Sequence, residues 1–358
     1  MKLGIGLYRH MLSRPNYRFA RQLGCTHVIV HLVDYSRTTA AAGATDNQPV
    51  GASSGWGLAG DPDRLWTTEE LSAIRREVEE EGLVLQGIEN FDPAHWHDVL
   101  LDGPKRAAQM ENLKLLVRRL GAVGIPMMGY NFSLAGVAGR VSGPFARGGA
   151  ESVGMEGVDE TPVPLGMVWN MVYDGRAPAG TQPPVTSDQL WDRLSRFLRE
   201  IVPVAEEAGV VMAAHPDDPP AAMVRGTPRL VYRPSLYQRL LDVIDSPSNA
   251  LEFCAGTIAE MAEGDVYEAT RRYSAQRRLA YVHLRNVSGR VPRYHETFID
   301  DGDVDMLRLL GVLKDTGYDG VIIPDHTPLP ECAASWHAGM AYALGYMRAA
   351  LRAIGAED

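Results

Sequence analysis

In this 358-residue chain, four residues of types that commonly bind divalent metals each lie at the end of a short apolar run. A single histidine or cysteine in such a place is usually packed and hydrogen-bonded, but four in succession predict a metal site. Two imidazoles, one thiolate and one carboxylate suit Mn²⁺, Fe²⁺, Co²⁺ or Zn²⁺, whereas a thiolate is too soft a ligand for Mg²⁺ alone. An ion that takes more than four ligands keeps positions open for substrate oxygens. The four residues are His215, Cys254, His283 and Asp325.

Eight strand-like runs alternate with helical patterns and supply the frame that must bring these side chains together. They predict one α/β domain over residues 1–358, folded as a (β/α)₈ TIM barrel rather than as an open doubly wound sheet. Functional side chains of such barrels gather at the C-terminal ends of the strands, and the four proposed ligands end the fifth to the eighth strand. The predicted strands are 3–8, 27–32, 83–89, 126–132, 210–215, 250–254, 279–285 and 320–325.

Residues 133–187 interrupt this alternation after the fourth strand with a stretch rich in Gly, Pro and Ser. A loop this long inside a compact domain is usually a lid, a binding loop or an assembly element. A tolerated surface insertion explains the same composition. The sequence predicts an insertion here and leaves its role open.

Composition and charge narrow the class of protein. With 45% hydrophobic and 22% charged residues, the chain has the make-up of a folded globular protein. A formal net charge of −10 argues against nucleic acid or an anionic membrane as the main partner. Three cysteines cannot form a dense disulfide framework, so we expect a cytoplasmic protein. We also expect a homo-oligomer, either a dimer or a tetramer.

Several motifs resemble those of the mannonate dehydratase family, the metal-dependent barrel enzymes of hexuronate breakdown. The most specific is the six-residue run that opens with His215, and the weakest is the tripeptide at 130–132. The matching segments are His215-Pro-Asp-Asp-Pro-Pro220, Phe253-Cys254-Ala-Gly-Thr257, His283-Leu-Arg-Asn286, His295-Glu296, Asp301-Gly-Asp-Val-Asp-Met306, Pro324-Asp325-His326 and Tyr130-Asn131-Phe132.

The resemblance implies a fold, a reaction and a metal. Family members are xylose-isomerase-like barrels that remove water from D-mannonate to give 2-keto-3-deoxy-D-gluconate, with Mn²⁺ or Fe²⁺ bound. The partner is then a small sugar acid. Carried over residue by residue, the metal ligands are the same four that the strand ends predict.

Further residues near these motifs have predicted roles in binding and proton transfer. His326 adjoins a ligand and could act as base or acid, or instead orient Asp325, which we also count among the catalytic group. Arg285 lies two residues after His283 on the same strand face and could clamp the substrate carboxylate. The other predicted substrate contacts are Asn131, Asp217, Asn286, His295 and Glu296.

The chain departs from the family pattern near its C-terminus. Where the family has a Tyr thought to assist proton transfer, a rough alignment places His337. We therefore predict His337 as a catalytic group and a substrate that is D-mannonate or a close relative. Two alternatives stay open: a divalent-metal sugar isomerase or epimerase of the xylose-isomerase-like class, and a non-catalytic sugar-acid-binding protein.

Overall fold

A closed barrel of eight parallel strands forms the centre of the protein. The computed structural model describes residues 1–35 and 55–357. In chain order its strands are β1 (Lys2–Leu7), β2 (His27–His31), β3 (Val84–Glu89), β4 (Met127–Tyr130), β5 (Val141–Ala146), β6 (Ala150–Glu156), β7 (Met167–Val168), β8 (Met171–Val172), β9 (Val211–Ala214), β10 (Met223–Val224), β11 (Thr227–Pro228), β12 (Asn249–Cys254), β13 (Leu279–His283), β14 (Asn286–Arg290), β15 (Arg293–Thr297) and β16 (Val321–Ile323).

The barrel confirms the predicted fold class and all eight predicted barrel strands. Around the barrel the strands follow the order β1-β16-β13-β12-β9-β4-β3-β2, so each neighbours its predecessor and successor in the βα series. The strands that end at the four proposed ligands are therefore adjacent: β9, β12, β13 and β16 form one half of the wall. Register agrees with this arrangement, since Cys254 pairs with His283 across β12 and β13.

Ten α-helices accompany the strands in the described part of the chain. Capping boxes start two of them, because the side chains of Thr67 and Thr186 accept hydrogen bonds from the backbone N–H groups of Glu70 and Gln189. The helices are α1 (Arg14–Gln22), α2 (Thr68–Glu80), α3 (Pro93–Leu101), α4 (Arg106–Ala122), α5 (Ser187–Ala208), α6 (Ser235–Leu241), α7 (Ala255–Glu260), α8 (Val266–Ala275), α9 (Met306–Asp315) and α10 (Ser335–Ala353).

The hydrophobic core lies between the barrel and its surrounding helices. On α5 the apolar stripe of Leu194, Leu198 and Ile201 is fully buried. Each such side chain contributes about 1.5–3 kcal/mol to folding through the apolar surface it removes from water. This packing fixes the strands and so the positions of the side chains at their ends. Across residues 1–35 and 55–357, no helix combines the length and apolarity needed to cross a bilayer.

The predicted insertion after β4 is a folded segment rather than an irregular loop. Its hairpin of β5 and β6 joins β14 and β15, which follow the barrel strand β13, in a four-stranded antiparallel sheet of order β14-β15-β6-β5. Met155 of β6 and Tyr294 of β15 are register partners and both are buried. The segment therefore has an apolar core of its own, anchored to the C-terminal side of the barrel.

Candidate active site and metal centre

A cavity lies at the C-terminal ends of the barrel strands, where the sequence predicts the site. Its wall has two halves. One half consists of side chains of metal-binding types at the ends of β9, β13 and β16. The other half consists of aromatic and polar side chains that lie near β1 to β4 or belong to the insertion. The lining residues are Tyr8, His31, Tyr35, Trp56, Glu89, Asn90, Asn131, Val137, Arg140, Trp169, His215, Asp218, His283, Asp325 and His326.

Three of the four proposed metal ligands converge. One ligand atom each from His215, Cys254 and His283 lies within 4.8 Å of the others. Oδ2 of Asp325 lies 3.5 Å from Nδ1 of His283, which places the fourth predicted ligand beside them. Asp325 lies two residues beyond the end of β16 and has a φ of 65°, a left-handed conformation that a non-glycine residue rarely adopts.

The tautomer of His215 suits a ligand. Its Nδ1–H donates to the carbonyl oxygen of Pro216 at 2.7 Å, which leaves Nε2 as the nitrogen that can bind a metal. A backbone carbonyl that fixes one ring nitrogen in this way is common among histidines that bind metals.

Cys254 is held as a thiolate. Burial by itself raises the pKa of its thiol, but the Arg285 guanidinium and the neighbouring imidazoles of His215 and His283 outweigh burial and lower that pKa to about 5. The backbone N–H of Thr257 also donates to Sγ at 3.4 Å, because Cys254 is the N-cap of α7. The thiolate is the form that binds metals.

Beneath these ligands lies a pair of buried carboxylates. Nε2 of His283 is 3.5 Å from Oε1 of Glu252 and 3.7 Å from Oε2 of Glu89. Burial, followed by the nearby charge of Glu89, raises the pKa of Glu252 well above its ordinary value. Glu89, Glu252 and His283 form a second ligand-type cluster, joined to the first by His283.

Unsatisfied polar atoms test whether a metal fits here. Among the described residues, neither ring nitrogen of His283 and neither carboxylate oxygen of Glu252 has a hydrogen-bond partner, although all four atoms are buried. Such atoms cost free energy unless something else binds them. A thiolate, two imidazoles and a carboxylate around them fit a borderline divalent cation.

Glu252 was not among the residues predicted from the sequence. Its position could have indicated a role, because it is a carboxylate inside the apolar strand β12, two residues before Cys254. Residues two apart on a strand share a face, so Glu252 had to point into the barrel with the predicted ligand.

His326 lies in the cavity wall as predicted, with both ring nitrogens near carboxylates. Nδ1 is 2.6 Å from Oε2 of Glu296, and Nε2 is 3.2 Å from Oδ2 of Asp325. Glu296 is buried and lies behind His326 rather than among the lining residues. Its position therefore suits the orientation of His326 better than the predicted contact with substrate.

Arg285 does not clamp a substrate in this geometry. Its guanidinium is buried and is occupied by protein groups: Nη2 is 3.0 Å from oxygens of both Asp218 and Glu260, and Nη1 bonds to Glu296. It lies outside the cavity lining. Its contacts instead lower the pKa of Cys254 and hold these carboxylates in place.

Three further predicted residues lie away from the cavity, and one lies in its wall. Nδ2 of Asn286 donates to the carbonyl oxygens of Ile299 and Val304, which fixes a turn. Asp217 accepts from the backbone of Leu230 and Val231. His295 stacks on Phe145 and contacts Glu156 at the outer sheet.

Asn131 does line the cavity, and its Nδ2 donates to the carbonyl oxygen of Pro216 at 3.1 Å.

His337, which the sequence predicts as a catalytic group, lies away from the cavity. Its Nε2 contacts Oδ1 of Asn16 at 3.1 Å, and its ring packs edge-on against Phe19 of α1. His337 sits in the first turn of α10, so the helix directs it toward α1 and away from the cavity.

Comparison with known proteins decides the family. The family model described as D-mannonate dehydratase (UxuA) matches residues 31–139 and 180–348. The chain belongs to this family. Mannonate dehydratase 2 of Halalkalibacterium halodurans is 31% identical over 275 residues, which cover 73% of this chain and 79% of that relative. Mannonate dehydratase of Streptococcus suis strain 05ZYH33 is 31% identical over 276 residues, covering 74% and 75%.

Solved structures agree on the fold. The crystal structure of mannonate dehydratase from Streptococcus suis serotype 2 matches with a TM-score of 0.74 at 24% identity, covering all of this chain and 95% of that one. D-psicose 3-epimerase of Clostridium cellulolyticum H10 has the same fold at a TM-score of 0.56 and 14% identity. Relatives with substantial sequence identity are mannonate dehydratases, so the chain is a member of a family of hydro-lyases, and the epimerase alternative is not favoured.

Proposed function

We propose that this member of the D-mannonate dehydratase family removes water from D-mannonate to give 2-keto-3-deoxy-D-gluconate. The observation that carries the proposal is the convergence of His215, Cys254 and His283 beside Asp325, at the rim where His215, His283 and Asp325 line the cavity. Family membership indicates the class of reaction, and these four residues indicate where in the protein the reaction would take place.

The reaction needs help at two positions of the sugar acid. The proton on C2 is weakly acidic because the neighbouring carboxylate already carries negative charge, and the 3-hydroxyl is a poor leaving group unless it is protonated. A Mn²⁺ or Fe²⁺ ion held by His215, Cys254, His283 and Asp325 would supply Lewis acidity toward the carboxylate and 2-hydroxyl oxygens.

His326 is the proposed proton-transfer group on the ligand side of the cavity. Its contact with Glu296 through Nδ1 leaves Nε2 as the nitrogen that exchanges a proton. The same nitrogen lies 3.2 Å from Asp325, so His326 also orients that ligand. One position of the His326 ring is therefore compatible with both roles predicted from the sequence, which are proton transfer and the orientation of Asp325.

His31 is the proposed second proton-transfer group, on the opposite half of the wall. Burial lowers the pKa of His31 despite the neighbouring Glu89, so its imidazole is neutral near pH 7 and can accept a proton. Its Nε2 lies 3.6 Å from Oε2 of Glu89. Two imidazoles on either side of one cavity provide the base and the acid that elimination requires.

An aromatic wall restricts water around the substrate. The rings of Tyr35 and Trp169 are stacked with centroids 6.1 Å apart, and Trp56 meets both edge-on. Excluding water from the cavity strengthens the electrostatic interactions of the metal and the charged side chains with the reacting atoms.

The test is to measure 2-keto acid formation from D-mannonate and its epimers by the purified protein with Mn²⁺ or Fe²⁺, before and after chelation. We expect metal-dependent keto acid from D-mannonate. Epimer formation without keto acid, or tight binding without turnover, would contradict the proposal. The homo-oligomeric state and the cytoplasmic location stay predictions from the sequence.

A further inference from the structure

The inserted segment places a buried cation beside the cavity. Arg140 lies just before β5 and one residue beyond the first stretch matched by the family model, which ends at residue 139. Its side chain is only 3% exposed, yet it lines the cavity together with His215 and Asp325. A buried guanidinium therefore faces the same space as the proposed metal ligands.

The carboxylates around Arg140 are already bonded to another arginine. Nη1 of Arg140 lies 3.6 Å from Asp218 and 3.5 Å from Glu296, within ion-pair distance of both carboxylates. Arg285 makes the close contacts to the same two carboxylates. Two guanidiniums thus share two carboxylates, and Arg140 is the one on the cavity side.

Arg140 keeps its positive charge although it is buried. Burial alone lowers the pKa of Arg140, but Asp218 and Glu296 outweigh burial and raise that pKa above its ordinary value. A guanidinium matches the planar shape of a carboxylate and can bond to both oxygens at once. Binding of the substrate carboxylate is the role that the sequence predicts for Arg285, whose guanidinium lies outside the cavity lining.

We propose that Arg140 binds the carboxylate of the substrate and thereby selects sugar acids over neutral sugars. This inference rests on the proposed function in one respect, namely that the substrate is a hexonate. Pairing with Arg140 also draws negative charge from the carboxylate, which makes the C2 proton easier to remove. The insertion would then contribute a residue that binds the anionic group of the substrate, in addition to enclosing part of the cavity.

The alternative is that Arg140 only neutralises Asp218 and Glu296. A structural role of that kind predicts lower stability with no preference between charged and neutral ligands. The two roles are separated by a matched pair of ligands, D-gluconate and D-glucitol, which differ only in having a carboxylate or a hydroxymethyl group at C1.

The experiment compares the metal-loaded parent protein with Arg140→Met and Arg140→Lys. Calorimetry gives the Kd of D-gluconate and D-glucitol, steady-state kinetics give KM and kcat for D-mannonate, and thermal unfolding checks folding. Arg147→Met is the matched control, because Arg147 belongs to the same insertion but is exposed and pairs with Asp300 outside the cavity.

We expect Arg140→Met to weaken D-gluconate binding and raise KM for D-mannonate by about 10–100-fold, the range of a lost charge-assisted hydrogen bond. D-glucitol binding should be unchanged, Arg140→Lys should be intermediate, and Arg147→Met should match the parent. Equal weakening of both ligands, or an unchanged KM with a lower Tm, would overturn the inference.

The outcomes also separate this inference from the proposed function. If the parent makes keto acid but Arg140→Met keeps its KM, the reaction stands and the role of Arg140 falls. If the parent binds D-gluconate in an Arg140-dependent way but makes no keto acid, the role of Arg140 stands and the reaction falls. A parent that binds neither ligand and turns over no hexonate overturns both.

Discussion

Nδ1 of His326 lies 2.6 Å from Oε2 of Glu296, and both side chains are buried. This contact determines which nitrogen of His326 is left to face Asp325 and the cavity. A carboxylate behind a histidine fixes both its orientation and its tautomer, an arrangement that serves proton transfer as well as metal binding.

Glu296→Gln should therefore reduce turnover while the cavity stays intact. The amide cannot stabilise a protonated imidazole, so we expect kcat for D-mannonate to fall by about 10–100-fold. Glu156→Gln is the matched control, because Glu156 contacts His295 in a similar pair at the exposed outer sheet. An unchanged kcat in Glu296→Gln would exclude the pair from proton transfer.

Cys254→Ser should remove bound metal. A serine hydroxyl does not ionise near neutral pH and is a poor ligand for a borderline cation. We expect metal content, measured by elemental analysis after purification with Mn²⁺ or Fe²⁺, to fall together with keto acid formation. Cys332→Ser, a change at an exposed cysteine, should keep both. Full metal loading of Cys254→Ser would contradict the proposed ligand set.

The thiolate of Cys254 should also make the metal-free protein more stable at higher pH. Its pKa falls from an ordinary 9.0 to about 5 on folding, so the thiolate contributes stability above about pH 9 that is lost progressively as the pH falls through 5. His215 has the opposite effect, because Glu252 and Cys254 raise its pKa to about 9 and its contribution to stability is lost as the pH rises from 6.5 through 9. The difference in unfolding free energy between the parent and Cys254→Ser, from urea denaturation, should therefore grow mainly as the pH rises from 5 to about 6.5.

Cys25 provides the contrast for that experiment. Burial raises the pKa of its thiol to about 12, so Cys25 remains a neutral thiol over the same range. The difference between the parent and Cys25→Ser should not change between pH 5 and 9. Equal pH dependence for both variants would contradict a folded-state thiolate at Cys254.

Glu252→Gln should weaken metal binding without unfolding the chain. Gln resembles the protonated carboxyl that burial favours at this position, so the metal-free protein should keep its Tm. A bound cation would favour the ionised form of Glu252, 3.5 Å from Nε2 of His283, and the Gln variant cannot provide that charge, so we expect metal affinity to fall by about 10–100-fold. Titration of Mn²⁺ into the metal-free proteins measures this, with the exposed Glu263→Gln as control. Equal affinities would exclude Glu252 from the centre.

His337→Ala should leave catalysis unchanged. The residue contacts Asn16 and Phe19 outside the cavity, so its loss should cost about 1 kcal/mol of unfolding free energy and no kcat. His31→Ala is the informative comparison, because His31 lines the cavity and is expected to lower kcat by about 100-fold or more. A large loss of kcat in His337→Ala would restore the role that the sequence suggested.

The sequence by itself determined the barrel and one half of the site. The hydrophobic periods of strands and helices are local properties of the sequence. Eight strand patterns that alternate with helical patterns predict a closed parallel barrel. Placing His215, Cys254, His283 and Asp325 at the ends of four successive strands then required only the rule that such ends share a rim. The capping boxes at Thr67 and Thr186 are local for the same reason.

Only the tertiary structure decided which side chains face the cavity and which are already engaged. Arg285 and Asn286 stand in the expected motif, but their partners come from distant segments that no local pattern brings together. Arg140 lies in a segment without periodicity and reaches the cavity because its hairpin pairs with β15. Local sequence fixes where a strand ends, whereas long-range packing fixes where a charged side chain finds its partner.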